Sequence, residues 1–328
     1  MQSNNDNGPR GTRRLVAPEL LSVLDNIPSL TYSDEMLPLV RAGIDQRVLP
    51  PLPAELKAVE CEQRFVPGPA GAPDVRVLIY RPPGKAASPR PAYLHMHGGG
   101  YVIGKPEMSD GLNRWKAAQV GCVIVSVDYR LAPETRFPGA VQDCYAALIW
   151  LHTHADQLGV DRNRIAIGGE SAGGGHAAAL AIYARGRGEV PICFQSLDSP
   201  MLDDRTGSVS EPHPFCGEFV WLPASNRFGW RCLLGMEPGG PNIPSEAVPA
   251  RVADLSSLPP ACIVVGALDL FLEEDLEYGR RLARAGVPTE IHVIPGAFHG
   301  FASGGGDIPQ IRTCRELRRD ALARAFAL

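Results

Sequence analysis

The sequence has no long hydrophobic run. Its longest apolar stretch, Ala177 to Ala184, falls far short of the roughly 18–20 residues a membrane-spanning helix needs. Met1 to Arg14 is polar and basic and leads into no apolar core, so no secretory leader is expected and the cytoplasm is the simplest placement. Charge of one sign is also missing. Lys and Arg number 32 against 36 Asp and Glu, a formal net charge of −4 with no basic stripe, which argues against nucleic acid or an anionic membrane as partner. Paired cysteines are absent too: Cys61, Cys122, Cys144, Cys193, Cys216, Cys232, Cys262 and Cys314 include no C-x-x-C. Several lie inside apolar segments, such as Cys122 before Val123-Ile124-Val125 and Cys262 before Ile263-Val264-Val265. That pattern reads as buried free thiols, with neither a disulfide framework nor a zinc site indicated. His95-Met96-His97 has two-ligand spacing on one strand face but no suitable third ligand nearby, so no metal is expected.

What is present is enough chain for a sizeable core. With 328 residues, 45% hydrophobic and 21% charged, the composition fits one large α/β domain with an accessory lobe. No internal repeat appears. Residues 15–50 carry short helical patterns interrupted by Pro18, Pro28 and Pro38, more like a cap than part of a sheet. Strand-like runs then follow at Ala58–Phe65, Val75–Tyr80, Ala92–Met96, Cys122–Val127, Arg164–Ile167, Ile192–Leu197, Ala261–Leu268 and Glu290–Ile294. Helical patterns separate the later ones, at Ser109–Val120, Ala140–Leu158, Ala172–Gly186, Glu273–Ala285 and Ile311–Phe326. The first two runs suit an antiparallel start and the rest a parallel, doubly wound sheet of about eight strands. Between Asp203 and Pro244 the rhythm breaks into a stretch rich in Pro, Gly and aromatics, which is expected to be a second piece of cap. The expected division is residues 1–50 as the first cap segment, 206–244 as the second, and 51–205 with 245–328 as the catalytic domain.

Gly169-Glu170-Ser171-Ala172-Gly173 lies between a strand-like run and a helical one. G-x-S-x-G at such a corner is the nucleophile elbow, in which a tight turn lifts the serine hydroxyl above the sheet and points a helix N-terminus at it. Alone the pattern is weak, since chance supplies roughly 0.2 copies in a chain this rich in glycine. Upstream, His97-Gly98-Gly99-Gly100 ends another apolar segment. Acyl transfer builds negative charge on a carbonyl oxygen, and converging N–H donors must hold it. Gly98 and Gly99 from this loop and Ala172 from the elbow are the expected donors.

A serine hydroxyl needs a base, and the base needs an orienting carboxylate, in the chain order Ser, acid, His. Downstream histidines are His176, one turn along the elbow helix; His213, in the excursion; His292, inside the last strand; and His299, in the loop after it. His299 is the expected base. Asp269, just beyond the run ending at Leu268, is the expected acid, with Asp198 as the rival one strand earlier. Glu273, Glu274 and Asp275 read as the charged first turn of the next helix. Tyr101, Phe215, Phe219 and Trp221 are expected to line the substrate pocket.

These residues together make the chain resemble the hormone-sensitive-lipase family of α/β-hydrolases, microbial carboxylesterases with an HGGG motif. The resemblance rests on His97–Gly100, on Asp128 to Glu134 followed by Phe137-Pro138, on the elbow, on Pro200 to Arg205, and on the contexts of Asp269 and His299-Gly300-Phe301. It implies an α/β-hydrolase fold with a mostly parallel eight-stranded sheet and a helical cap. It implies a serine carboxylesterase acting on small ester substrates without a cofactor, with an amidase, a lactonase or a non-catalytic receptor as alternatives on the same fold. A homodimer stays open. The segment Asp128 to Glu134 is an architectural turn in that family and carries no expected catalytic role. Glu170 departs from the Asp or Thr that most relatives carry before the serine, and the sequence offers no reason for it.

Overall fold

Side chains alternate across a strand, so one sheet can bury two cores at once. Val77 and Ile79 enter the core on one face of the sheet, whereas Leu78 and Tyr80, from the same strand, enter the core on the other. Leu94 and Met96 are divided from Tyr93 in the same way. Runs buried on both faces are what a doubly covered parallel sheet demands.

The computed structural model describes residues 11–27, 31–48, 51–84, 86–208, 213–304 and 306–327. Within the two expected cap segments, residues 1–10, 28–30, 49–50 and 209–212 lie outside the described residues, including Pro28 and most of the Met1 to Arg14 stretch. The strands are β1 (Glu60–Val66), β2 (Val75–Arg81), β3 (Arg90–Met96), β4 (Val123–Asp128), β5 (Val160–Glu170), β6 (Phe194–Asp198), β7 (Ala261–Gly266) and β8 (Thr289–Ile294). They form one sheet in the order β1-β2-β4-β3-β5-β6-β7-β8. The antiparallel start is present: β1 pairs with β2, and β2 with β4, antiparallel. Every later pairing is parallel.

Nine helices are assigned among the described residues: α1 (Leu21–Asp25), α2 (Met36–Gln46), α3 (Asp110–Val120), α4 (Gly139–Thr153), α5 (Ala155–Leu158), α6 (Ala172–Arg187), α7 (Pro223–Leu234), α8 (Leu272–Arg284) and α9 (Pro309–Ala327). α4, α6 and α8 cover one face through Leu148, Leu180 and Leu282. α1, α3 and α9 cover the other through Leu24, Ala117 and Leu322. A third cluster brings Leu37 of α2 together with Tyr101, Val102 and Ile103 beyond β3, Phe271, and Trp221, Phe228 and Trp230 of the middle excursion. None of these helices is long and apolar enough to cross a membrane.

Three details differ from the sequence reading. Pro38 does not interrupt α2, because it sits in the first turn, where its missing N–H has no partner to lose. The single helix expected over Ala140–Leu158 is two, divided at His154 and closed by Gly159 in the left-handed conformation at φ 66°. The middle excursion contains a helix that its composition hid. α7 starts with Pro223 at its first position and stops at Gly235, φ 70°, the usual placing of proline and glycine at helix ends.

The central strand sets a stability expectation. Leu94 on β3 is fully buried between β4 and β5, so Leu94→Ala costs about 2–5 kcal/mol by lost transfer energy and cavity formation. Leu39 on α2 is 67% exposed, and Leu39→Ala changes stability by less than about 0.5 kcal/mol. Urea unfolding of both variants checks the contrast.

Candidate active site

β5 ends at Glu170 and α6 begins at Ala172, leaving Ser171 to turn the corner with φ 57° and ψ −121°. A positive φ on a residue with a Cβ costs energy and persists only where surroundings impose it. Here the Ser171 N–H donates to the Asp198 carbonyl at 2.8 Å, and the Ser171 carbonyl accepts from the N–H groups of Met201 and Gly175, both at 3.0 Å. The corner presents the hydroxyl at the carboxyl end of the sheet, where open α/β sheets bind their ligands.

Two further loops reach the same edge. Asp269 lies three residues past the end of β7 and His299 five past the end of β8. Ser171 Oγ is 2.9 Å from His299 Nε2, and His299 Nδ1 is 3.0 and 2.9 Å from the two carboxylate oxygens of Asp269. Asp269 is fully buried, and its Oδ1 also accepts the Phe271 N–H at 3.0 Å, which fixes the carboxylate. A hydroxyl, an imidazole and a buried carboxylate joined in this way can pass a proton from oxygen to ring nitrogen while the carboxylate stabilises the imidazolium.

The glycine loop after β3 lies against the elbow. A Cβ on Gly98 would come within 2.9 Å of the Glu170 carbonyl oxygen and 3.5 Å of Ser171 Cβ, so only glycine permits this approach. Among the described residues, Gly98, Gly99 and Ala172 donate their N–H groups to no backbone carbonyl. His97 braces the loop from behind. Burial lowers it to about 4, which keeps it neutral, and its Nδ1 donates to the Gly98 carbonyl at 2.9 Å. Its ring stacks on Tyr129 at 4.3 Å, and the Tyr129 hydroxyl donates to the His97 carbonyl at 2.6 Å. His176 is likewise buried and lowered to about 3, wedged between Tyr101 and Tyr129 and remote in role from Ser171.

The four aromatic residues expected in the pocket separate. Trp221 is buried with its ring 6.3 Å from the His299 ring, and a Cβ on Gly100 would strike it at 2.1 Å. Its indole N–H donates to Asn226 Oδ1 at 3.1 Å. Phe219 packs on Phe298, beside His299 in the chain. Tyr101 is buried against Trp230 and His176, with its hydroxyl donating to the Met201 carbonyl at 2.7 Å. Phe215 is exposed beside His213. Two neighbours escaped the sequence reading. Phe271 stands edge-on to His299 at 5.0 Å, and Tyr32 lies 5.4 Å from Trp221. The position of Phe271, two residues after the acid, was a usable signal; nothing local marks Tyr32.

The carboxylates around the site divide by partner. Asp198, the rival acid, is ion-paired with Arg318 of α9. Glu274 and Asp275, expected as a charged helix start, do open α8, but both are buried and burial raises each well above the usual carboxylate range. Glu170 now has a reason. Burial would raise it, but the His95 imidazole, 2.9 Å away, together with Lys116 and Arg318 outweighs that and holds it at about 2. His95 in turn meets Ser126 Oγ at 2.7 Å through Nδ1.

Fold and site together define a serine-hydrolase arrangement on an α/β-hydrolase scaffold. A family profile described as "alpha/beta hydrolase fold" matches residues 93–303. Esterase LipI of Mycobacterium tuberculosis is 37% identical over 90% of each chain, and carboxylesterase NlhH of the same organism is 32% identical over 97% of this chain and 98% of its own. Among solved structures, a bacterial heroin esterase superposes with a TM-score of 0.86 at 37% identity, covering 96% of this chain and 99% of that one. The chain belongs to the α/β-hydrolase superfamily and, within it, to the hormone-sensitive-lipase family of carboxylesterases.

The Glu170–His95 pair generates a test. Because folding lowers its pKa, Glu170 contributes stability that is present above its unfolded value near 4.3 and is lost as pH falls toward about 2. Glu170→Gln therefore destabilises by about 1–3 kcal/mol at pH 7. The gap from wild type narrows as pH falls below 4.3, as measured by urea midpoints across that range.

Proposed function

We propose that the protein hydrolyses short- to medium-chain carboxylic esters through an acyl-enzyme intermediate. The observation that carries this reading is the unbroken hydrogen-bonded chain from Ser171 through His299 to buried Asp269. Ser171 Oγ attacks the ester carbonyl while His299 Nε2 takes its proton. The tetrahedral oxyanion is held by the Gly98, Gly99 and Ala172 N–H groups, which among the described residues donate to no backbone carbonyl. Collapse releases the alcohol, which receives the proton from His299. A water molecule then repeats the sequence on the acyl group: His299 removes its proton, the carboxylic acid leaves, and Ser171 Oγ is reprotonated. Asp269 holds the imidazole tautomer and stabilises the imidazolium throughout. The residues suffice for this chemistry without a cofactor.

In this reading the described parts of residues 1–50 and 206–244 form the two-part cap over the carboxyl edge. Trp221, backed by Tyr32 and pressed on Gly100, narrows the space beside the oxyanion loop, which favours short acyl chains. Among the described residues no two cysteines form a disulfide, and seven of the eight are buried or half-buried, which supports a reducing, cytoplasmic location.

Two measurements test the reading. Ser171→Ala is expected to lower turnover on the order of 10⁶-fold, and a fluorophosphonate is expected to label wild type but not the variant. A loss smaller than tenfold would remove Ser171 from the mechanism, and an unlabelled wild type would favour a non-catalytic receptor. Across p-nitrophenyl esters from acetyl to palmitoyl, kcat/KM is expected to peak at short or medium length; a palmitoyl optimum would overturn the substrate class.

A further inference from the structure

Away from Ser171, the amino-terminal half of β7 and the adjoining part of edge strand β8 bring a thiol, a carboxylate and an imidazole together. Parallel pairing sets Cys262 opposite Glu290 and Val264 opposite His292. Residues opposite each other or two apart along a strand share a face, so Cys262, Glu290 and His292 all project to one side. Their Sγ, carboxylate oxygen and ring nitrogen lie within 4.8 Å of one another. This is the only group of three or more such ligands found among the described residues. No sequence motif announces it, because Cys262 is 28 positions from its nearest partner and meets it only through strand pairing.

We propose that Cys262, Glu290 and His292 form a binding site for a Zn²⁺-class metal ion that clips edge strand β8 to β7. The donor set selects the metal. Thiolate and imidazole suit Zn²⁺ and Co²⁺, whereas Mg²⁺ and Ca²⁺ want oxygen alone. Zinc bonds of about 2.3 Å to sulfur and about 2.0–2.2 Å to nitrogen and oxygen bring ligand atoms nearer together than 4.8 Å. The closure falls to the two solvent-facing side chains, His292 at 29% and Glu290 at 40% exposed. Cys262 is buried beneath them at 1% exposure. The ion enters from solvent on the Glu290–His292 side, and water completes the fourth position.

Charge and protons balance. The Cys262 thiol gives up its proton to solvent as the sulfur–metal bond forms, and thiolate with Glu290 carboxylate neutralises a divalent ion. Burial pushes the free thiol up to about 12, so without metal it is protonated. The competitor is Arg324 of α9, which donates to both Glu290 oxygens at 2.7 and 2.8 Å. That guanidinium is 59% exposed, and an exposed pair of this kind is weak enough to yield to a metal. His292 Nε2 already stands 3.3 Å from Glu290 Oε2. Cys262 is the second residue of β7 and Asp269 lies beyond its far end, so the clip has no part in ester hydrolysis and stands whether or not that reading does.

The test is a titration of the chelator-treated full-length protein with Co²⁺. One equivalent is expected to raise a thiolate-to-metal charge-transfer band in the near ultraviolet, which one equivalent of Zn²⁺ then bleaches. Cys262→Ser is expected to abolish the band and His292→Gln to weaken binding at least tenfold, with ester turnover unchanged in both. Arg324→Ala is expected to tighten binding several-fold by freeing Glu290. A wild-type protein with no band, or a band that survives Cys262→Ser, would overturn the site; weaker binding in Arg324→Ala would overturn the role given to Glu290.

Discussion

The backbone of one residue governs this molecule. Ser171 holds φ 57° and ψ −121°, a conformation that costs about 1–3 kcal/mol for a residue with a Cβ. Three hydrogen bonds impose it: to Asp198 at the end of β6, to Met201 just beyond, and to Gly175 within α6. The strained corner is therefore a junction of two adjacent strands and a helix. The glycine loop of β3 packs onto the same corner, with Gly98 against the Glu170 carbonyl. Shifting any of these elements would change where the Ser171 hydroxyl points, and with it the 2.9 Å contact to His299.

Charge is what the corner rests on. Glu170 and Asp198, at the ends of paired strands β5 and β6, are opposite one another in register. Two carboxylates side by side in a buried setting repel, and each is costly without a counter-ion. His95 hydrogen-bonds Glu170, Arg318 answers Asp198, and Lys116, buried above the Tyr93 ring at 4.1 Å, supplies positive charge nearby. Burial lowers Lys116 and raises Asp198, the opposed shifts that desolvation gives to a cation and an anion. Arg318 explains why Asp198 is not the partner of His299. Its carboxylate is committed to α9, which leaves Asp269 to face the imidazole.

Most of the scaffold was legible because its signals are local. Runs of four to eight residues marked all eight strands, apolar for the inner ones, where both faces of the sheet are covered, and mixed for edge strands β1 and β8. The elbow and glycine loop were legible because close backbone approach admits only glycine. Asp269 and His299 followed from chain order along one sheet edge. What stayed hidden depends on distance in sequence. The partner of Glu170 is 75 residues away, and its side-chain bond has no sequence signature. Trp221 reaches Gly100 across more than a hundred residues. The acids opening α8 read as a charged turn because helix pattern says nothing of what packs over it. α7 was obscured by the Pro, Gly and aromatic content that its tertiary contacts require.

The N-terminal helix and the glycine loop are mechanically one body. Arg41 of α2 donates to the carbonyls of Val102 and Ala132 and pairs with Glu134, while Val102 donates its own N–H to Gly99. Lys105–Asp45 and Arg231–Asp34 add ties from the loop after β3 and from α7. Exposed pairs like these contribute only about 0–1 kcal/mol each, so the attachment rests on apolar burial of Leu37 with Val102, Ile103 and Trp230. The ion pairs set register; the apolar contacts hold. The same cluster contains Trp221 and Phe271, so the residues beside His299 and those next to the Gly98 and Gly99 amides share one packed unit. In the proposed reading, a change in α2 or α7 reaches the loop that carries the Gly98 and Gly99 amides as well as Trp221, which would couple substrate size to reactivity.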